Sequence, residues 1–161
     1  MMSQTTEVTF SPALEMRSVR QTGQARGAEM KIDVTYADGR AKGAATTPGP
    51  QGMQTLAVDA VVPPGAVDDN LLMAMLPTLK LERGAEYRAV VFASGKGQLQ
   101  EVMLKVGAKE SVQVPAGTFD AHPVTMSGGP VAVTFYVSSG DTPRVVRLTM
   151  QGVPMEYQLA K

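Results

Sequence analysis

Alternation of apolar and polar residues is the dominant pattern of this chain, and it predicts β-strands. The apolar positions of the clearest strand are Met30, Ile32, Val34 and Tyr36. This two-residue period is typical of a strand that buries one face. Asp38-Gly39 follows, a dipeptide that favours a two-residue hairpin turn. The turn places three small residues of the return strand, residues 40–46, opposite large ones: Ala41, Gly43 and Ala45. Small residues there indicate either space for a ligand or close packing of another element.

The stretch 110–126, ESVQVPAGTFDAHPVTM, predicts a bent pair of strands around which the rest of the chain is arranged. Val112 and Val114 alternate with polar residues. Pro115-Ala116-Gly117 then interrupts the ladder, because proline has no N–H to donate and glycine permits a reversal of the backbone. A second strand begins at Thr118. Bent strand pairs of this kind form the corners of curved sheets.

Further strands recur about every ten residues with turn signals between them. They are predicted at residues 14–21, 53–62, 85–93, 98–106, 131–138, 144–150 and 153–160. Residues 1–12 are expected to form a loosely ordered start, and residues 46–52 a loop. This spacing predicts a single all-β domain over residues 1–161, a strongly curved antiparallel sheet or half-barrel meander of roughly nine to eleven strands.

One short helix is predicted at residues 68–76, on the concave face of the sheet. Asp68, Asp69 and Asn70 supply an N-cap and negative charge at its first turn. Pro77 is expected to end it. The helix is apolar nearly all round, so it must be buried or must close an opening.

Two hairpins near the C-terminus have a register that the turns predict. A two-residue turn at Gln151-Gly152 pairs Leu148 with Met155, Val146 with Tyr157 and Arg147 with Glu156. A two-residue turn at Gly128-Gly129 pairs Met126 with Val131, Val124 with Val133 and His122 with Phe135. Both hairpins then have one apolar face.

Composition narrows the function classes. The formal net charge is zero, with 15 basic and 15 acidic residues and no basic stripe, so nucleic acid is not an expected partner. No apolar run is long enough for a transmembrane segment. Cysteine is absent, which excludes disulfides, thiolate metal sites and a cysteine nucleophile. The start MMSQTTEVTF has no signal-peptide pattern, so a cytoplasmic location stays open.

The segment VPAGTFDAHPV, followed by a hairpin and DTPRVVRLTMQGVPMEYQL, resembles the C-terminal half of the bacterial domain-of-unknown-function family 3108. An upstream LP-x-L-x-L-x-x-G-x-x-Y segment is also similar: Leu76, Pro77, Leu79, Leu81, Gly84 and Tyr87. The resemblance covers residues 68–161. It implies a periplasmic or otherwise exported protein, with a curved sheet similar to that of periplasmic lipoprotein carriers. It implies no catalytic residue.

Candidate chemistry is sparse, and the chain is expected not to be an enzyme. His122 is the single histidine, too few for the usual zinc sites, so no metal and no cofactor are expected. We interpret it as a half-buried residue beside Phe135. Ser94-Gly95-Lys96-Gly97 lacks the spacing of a phosphate-binding loop and is interpreted as a hairpin turn. Arg144 and Arg147 are interpreted as solvated strand charges, with an anionic headgroup as the alternative partner.

Methionine is frequent, with 11 residues in a chain that has no tryptophan. Methionine fills irregular cores, and it also lines surfaces that accept varied apolar shapes. We therefore predict a non-enzymatic, extracytoplasmic binding or carrier module for an apolar or lipid-like ligand. The alternative is a structural or protein-interaction β domain with a self-filled core and no small-molecule ligand. The predicted ligand-binding residues are Leu72, Met73, Met75, Leu76, Met126, Val133, Phe135, Leu148 and Tyr157.

Overall fold

The computed structural model describes residues 2–25 and 27–161, and for residues 2, 3, 25 and 155 it describes the backbone alone. The strands of this part are β1 (Met2–Phe10), β2 (Met16–Ala25), β3 (Ala28–Ala37), β4 (Arg40–Gly49), β5 (Gly52–Val61), β6 (Val67–Asp68), β7 (Glu86–Ala93), β8 (Gln98–Val106), β9 (Glu110–Val114), β10 (Gly117–Ser127), β11 (Val133–Ser138), β12 (Val145–Met150) and β13 (Val153–Gln158). A 3₁₀ turn (Asp69–Leu71), helix α1 (Leu72–Met75) and a second 3₁₀ turn (Leu76–Thr78) form the helical segment. The prediction of an all-β fold with one short helix is confirmed.

The chain divides into two compact units. The first comprises the residues up to Leu71 together with Val90–Gln100, and the second comprises Leu72–Ala89 and Glu101–Lys161. The first unit contains an antiparallel sheet in the order β1-β2-β3-β4-β5. Its core is formed by Met16, Val19, Ile32, Val34, Ala41, Ala45, Val58, Leu71 and Phe92.

The β3–β4 hairpin has the predicted register. Tyr36 pairs with Ala41, Val34 with Gly43 and Ile32 with Ala45. Asp38 and Gly39 have φ values of 51° and 69°, the left-handed conformation that a type I′ turn requires at both central positions. Local turn chemistry therefore determines this register.

The small residues of β4 have two causes, and only one of them was suggested by the sequence. A Cβ added to Gly43 would lie 1.9 Å from the backbone oxygen of Asp33. Glycine is needed because the backbone of β3 comes close at this point. Ala41 and Ala45 are buried in the core.

Two segments predicted to lack regular structure are strands. Residues 2–10 of the expected loose start form β1, which pairs with β2 from Met2 to Phe10, whereas residue 1 lies outside the described part. Most of the expected loop at 46–52 extends β4 and begins β5. Pro48 is tolerated because β4 pairs with β3 only as far as Thr46. Backbone groups of a strand point alternately to its two neighbours, and at residue 48 they point towards the β3 side, where no partner strand needs an N–H donor.

The second sheet curls into a half-barrel. Its strand order is β13-β12-β11-β10-β8-β7-β6, with β9 paired to β10 off this path. Within the second unit, β10 pairs with β11 along one side and with β9 and then β8 along the other. Pairing with β9 ends at Ala121 and pairing with β8 begins at Val124, so Pro123 lies in the gap where no ladder donor is required. The predicted central role of residues 110–126 follows from this position.

The last two hairpins differ from their predicted registers. Met126 pairs with Val133, Val124 with Phe135 and His122 with Val137. We attribute this longer loop, residues 128–132, to Pro130, which follows the glycines and cannot donate to the ladder. In the other hairpin Met150 pairs with Val153, but Thr149 then pairs with Glu156, so residues 154–155 bulge. Pro154 has the same effect there.

The helical segment begins as predicted and ends later. Asp68 Oδ1 accepts the Asn70 N–H at 2.8 Å, which is the N-cap contact. Pro77 does not end the segment, because it occupies the first turn of the second 3₁₀ helix, where its missing N–H is not needed. Leu72 and Leu76 are buried. In the described part of the chain, no helix is long and apolar enough to cross a bilayer.

Candidate functional site

An apolar groove in the second unit lies along the end of its sheet. It is lined by Met73 of α1, by residues 145–148 of β12 and by residues 157–160 of β13 and the chain beyond it. Its volume is about 200 Å³. We refer to this feature as the β12–β13 groove.

Three of the nine predicted binding residues line this groove: Met73, Leu148 and Tyr157. Leu72, Leu76 and Phe135 are buried core residues. Met75, Met126 and Val133 are half-buried and are not part of the groove lining. Sequence reasoning missed Val145 and Val146 of β12, and Leu159 in the chain just beyond β13, although all three lie within segments that were predicted to be strands.

The bulge in β13 brings Leu148 and Tyr157 together. They are direct cross-strand partners, whereas the predicted register paired Leu148 with Met155, whose side chain lies outside the described part. Leu159 N–H donates to Val146 O at 2.8 Å and extends the pairing beyond the end of β13. Burial raises the pKa of the Tyr157 hydroxyl, so the ring presents a neutral phenol at the groove.

Charged residues near the groove are already paired. Arg147 Nη2 lies 2.7 Å from Glu156 Oε2, and its guanidinium carbon lies 5.5 Å from the Tyr136 ring centroid. The predicted Arg147–Glu156 pair is therefore present, although Arg147 pairs with Gln158 in the ladder. Arg144 lies over Phe119, with 5.6 Å from its guanidinium carbon to the ring centroid.

His122 has a structural partner. Its Nδ1 lies 3.1 Å from the Gly107 carbonyl oxygen. It is half-buried, as predicted, but its strand partner is Val137 and not Phe135. Among the described residues, no three histidine, aspartate or glutamate side chains form a group that could hold a metal ion.

The first unit contains a buried polar group that the sequence did not reveal. We call it the Asp68 cluster: Gln21, Tyr36, Asp68, Asn70 and Ser94. Asp68 is fully buried and accepts hydrogen bonds from the Tyr36 hydroxyl and from the Asn70 Nδ2 at 2.8 Å. Asn70 Nδ2 also lies 3.2 Å from Ser94 Oγ, and Gln21 Nε2 donates to Asn70 Oδ1 at 3.2 Å.

The Asp68 cluster has the properties of a structural network. No buried side-chain nitrogen or oxygen in the described part of the chain lacks a hydrogen-bond partner, so the cluster offers no free group to a ligand. Burial, followed by the nearby Asp68 carboxyl, raises the pKa of the Tyr36 hydroxyl. Tyr36 therefore remains a donor. This network joins strands β2, β3 and β6, and the turn that follows β7, to the start of the helical segment.

Neighbouring carboxyls at Asp68 and Asp69 should give the protein an unusual pH dependence. Burial, together with Asp68, raises the pKa of the Asp69 carboxyl to about 8. The folded chain therefore keeps a proton on Asp69 near neutral pH. The unfolded chain releases this proton near pH 4, so the free energy of unfolding should fall as pH rises towards 8. Although the Asp69 carboxyl is desolvated beside Asp68, the residue as a whole is exposed, so solvent screening keeps the effect small.

Urea unfolding between pH 6 and pH 9 tests this prediction. The wild-type protein should lose stability over this range, and Asp69→Asn should remove most of the loss. Asp59→Asn is the control, because the hydrogen bond from Arg40 lowers the pKa of Asp59 and places its titration below this range. An equal loss in the wild type and in Asp69→Asn would contradict the assignment.

Comparison with known proteins gives the family. The model of the family described as "Protein of unknown function (DUF3108)" matches residues 3–152. The chain belongs to this family. For this DUF3108 chain the match begins at residue 3 and ends at residue 152. It therefore includes nearly all of the first sheet, and residues 68–152 of the segment 68–161 on which the sequence resemblance rested. No curated protein sequence matches it.

A solved structure is similar to this DUF3108 chain in fold. It is the beta-barrel-like protein of domain of unknown function DUF1849 from Brucella abortus. The two are 16% identical, the alignment covers 94% of this chain and 74% of the other, and the TM-score is 0.51. At this identity the likeness shows the fold alone. It agrees with the curled sheet described above.

Proposed function

We propose that the chain is a non-enzymatic, extracytoplasmic binding or carrier module whose β12–β13 groove takes an apolar, lipid-like chain. The observation that carries the proposal is the exposure of large apolar side chains at this groove. Met73 is 44% exposed and Tyr157 36% exposed, beside the buried Val145 and Val146. Covering such surface with an apolar ligand removes it from water, which is favourable.

The dimensions of the groove favour one segment of a chain as the ligand. Ligand pockets for whole drug-sized molecules usually measure roughly 300–1,000 Å³, and this groove measures about 200 Å³. An acyl segment fits it while the rest of the molecule stays in solvent. Each buried methylene contributes about 0.8 kcal/mol, so two added methylenes should tighten binding roughly tenfold until the groove is full.

We propose a non-enzymatic role because of the side chains that line the groove. Its ionisable side chains are Arg147, which is paired with Glu156, and Tyr157, whose pKa is raised by burial. Tyr157 therefore keeps its proton near neutral pH, and no aspartate, glutamate or histidine is among the described residues that line the groove. Binding and release are the processes that such a lining supports.

A negative charge added to the groove at Met73 should weaken binding. We expect Met73→Glu to weaken the binding of dodecanoate and of dodecanol at least tenfold, because an apolar chain must then cover a carboxylate. Displacement of an apolar fluorescent dye measures both affinities. Leu99→Glu is the matched control, since Leu99 is 43% exposed and belongs to the first unit. It should alter binding less than twofold.

The outcome also separates the two function classes. Dye and acyl uptake that is unaffected by Met73→Glu would place binding outside the β12–β13 groove. A protein that takes up neither dye nor acyl ligand would instead favour the structural or protein-interaction domain. The self-filled core of that alternative would then include Leu72 and Leu76, which are buried.

A further inference from the structure

The edge of the first sheet at β5 is long and unprotected. Among the described residues, β5 (Gly52–Val61) pairs with β4 and with no other strand. Its sequence, GMQTLAVDAV, contains no lysine, arginine or proline. Open edges are normally blocked by such residues or by a bulge, because their free N–H and C=O groups pair readily with another strand. The one charged residue of this ten-residue edge, Asp59, is ion-paired with Arg40 of the same chain, so the edge is suited to pairing.

The hydrogen-bond phase of β5 identifies which backbone groups point outwards. Val62 N–H donates to Gly39 O at 2.8 Å, and in the same register Ala60 pairs with Ala41. Since bonded and non-bonded pairs alternate in antiparallel sheets, the even-numbered residues of β5 bond to β4. The close approach of Thr46 Oγ1 and Thr55 Oγ1, at 2.9 Å, agrees with a non-bonded pair there. The outward-pointing backbone groups belong to Met53, Thr55, Ala57, Asp59 and Val61.

Large apolar side chains on β5 remain uncovered. Leu56 is 40% exposed and Val61 is 63% exposed. They point to opposite faces of the sheet, because successive residues of a strand alternate. A partner strand would have to cover apolar surface on both faces while satisfying the odd-numbered backbone groups.

We propose that β5 pairs antiparallel with β5 of a second copy of this chain, about a two-fold axis at Ala57. This register bonds Ala57 to its own equivalent and Thr55 to the second copy's Asp59. It also bonds Met53 to the second copy's Val61. All five outward-pointing residues are used, and equivalent faces of the two sheets stay on the same side.

Side chains on both faces fit this self-pairing. Val61 lies opposite Met53 of the second copy, and Leu56 lies opposite its Val58, so both exposed apolar residues gain apolar partners. Asp59 lies opposite threonine, not opposite another aspartate. Its charge is also held within its own chain, because Arg40 Nη2 lies 2.5 Å from Asp59 Oδ1. The dimer edge therefore brings no like charges together.

Cysteine crosslinking tests the register, since the chain has no cysteine of its own. Bonded antiparallel partners have Cα atoms about 5.5 Å apart, within the range for a disulfide. Ala57→Cys should therefore form a disulfide-linked dimer on mild oxidation. Ala44→Cys is the matched control: Ala44 is the β4 partner of Ala57 and is also exposed, but two copies would place it roughly 14 Å from its equivalent. Equal crosslinking of the two variants, or none, would overturn the proposal.

Charge substitution at the same pair of positions tests the dimer without oxidation. By sedimentation velocity, the wild-type protein should be a dimer, and Ala57→Lys and Ala57→Glu should each be at least tenfold weaker in self-association. An equimolar mixture of the two should recover the dimer, and Ala44→Lys should remain dimeric. Circular dichroism of each variant checks that the fold is kept. A wild-type protein that is monomeric at about 100 μM would overturn the proposal, and so would equal dissociation of Ala44→Lys and Ala57→Lys.

Discussion

Replacing Asp68 by alanine should lower the free energy of unfolding by about 3–5 kcal/mol, because its hydrogen-bond donors are then buried without an acceptor. The Tyr36 hydroxyl and the Asn70 N–H both lose their acceptor. Each buried donor left without a partner costs about 1–3 kcal/mol. Urea unfolding followed by circular dichroism measures the change.

Two further variants show whether the loss comes from the Asp68 cluster. Tyr36→Phe removes one donor and leaves Asp68 with both contacts from Asn70, so it should cost only about 1–2 kcal/mol. Asp59→Ala removes a carboxylate from the surface and should change stability little. If Asp68→Ala were no less stable than Asp59→Ala, the cluster would have no structural role.

Gly43→Ala should be comparably destabilising, with a loss of at least about 3 kcal/mol, because strain of this kind alone costs roughly 1–3 kcal/mol and a backbone clash adds to it. The added Cβ would lie 1.9 Å from Asp33 O and 2.9 Å from Val34 Cα, and the φ of Gly43 is +154°. These neighbours are backbone atoms of β3, so no side-chain rotation relieves the clash. Thermal unfolding and amide hydrogen exchange in β3 and β4 measure the effect.

Gly52→Ala is the matched control for this prediction. Gly52 also has a positive φ, +114°, but nothing lies within 4 Å of an added Cβ. It should therefore show the backbone strain without the clash and lose clearly less stability than Gly43→Ala. Equal losses in the two variants would mean that the approach of β3 to β4 does not require glycine.

The fold was predictable where local chemistry determines structure. Alternating residues in β3 and the Asp38-Gly39 turn were sufficient to predict the correct pairing of Tyr36 with Ala41. Proline was the main source of error, because its effect depends on which side of a strand needs a donor. Pro48 lies within a strand, whereas Pro154 lies in a bulge that shifts the last hairpin.

The site was predictable only in part. A helix that is apolar nearly all round contains no pattern to show which side is buried, so Leu72 and Leu76 were not separable from Met73. Leu148 and Tyr157 were assigned to the site through their apolar phase, although their mutual pairing depends on the bulge.

The Asp68 cluster was not predictable at all. Its members come from β2, β3, β6, the first 3₁₀ turn and the turn after β7, and only the folded chain brings them together. Asp68 and Asn70 could be interpreted locally as capping residues, which they are, but nothing in the sequence connects them to Tyr36 or Gln21.

Native mass spectrometry of the protein purified from its source tests the central claim, binding of an apolar chain in the β12–β13 groove, most directly. We expect a fraction of the protein to carry an apolar adduct, and Leu99→Glu to retain that adduct while Met73→Glu loses it. Added dodecanoate should restore an adduct to stripped wild-type protein but not to Met73→Glu. Bare protein in every sample, with no uptake of dodecanoate, would contradict the account.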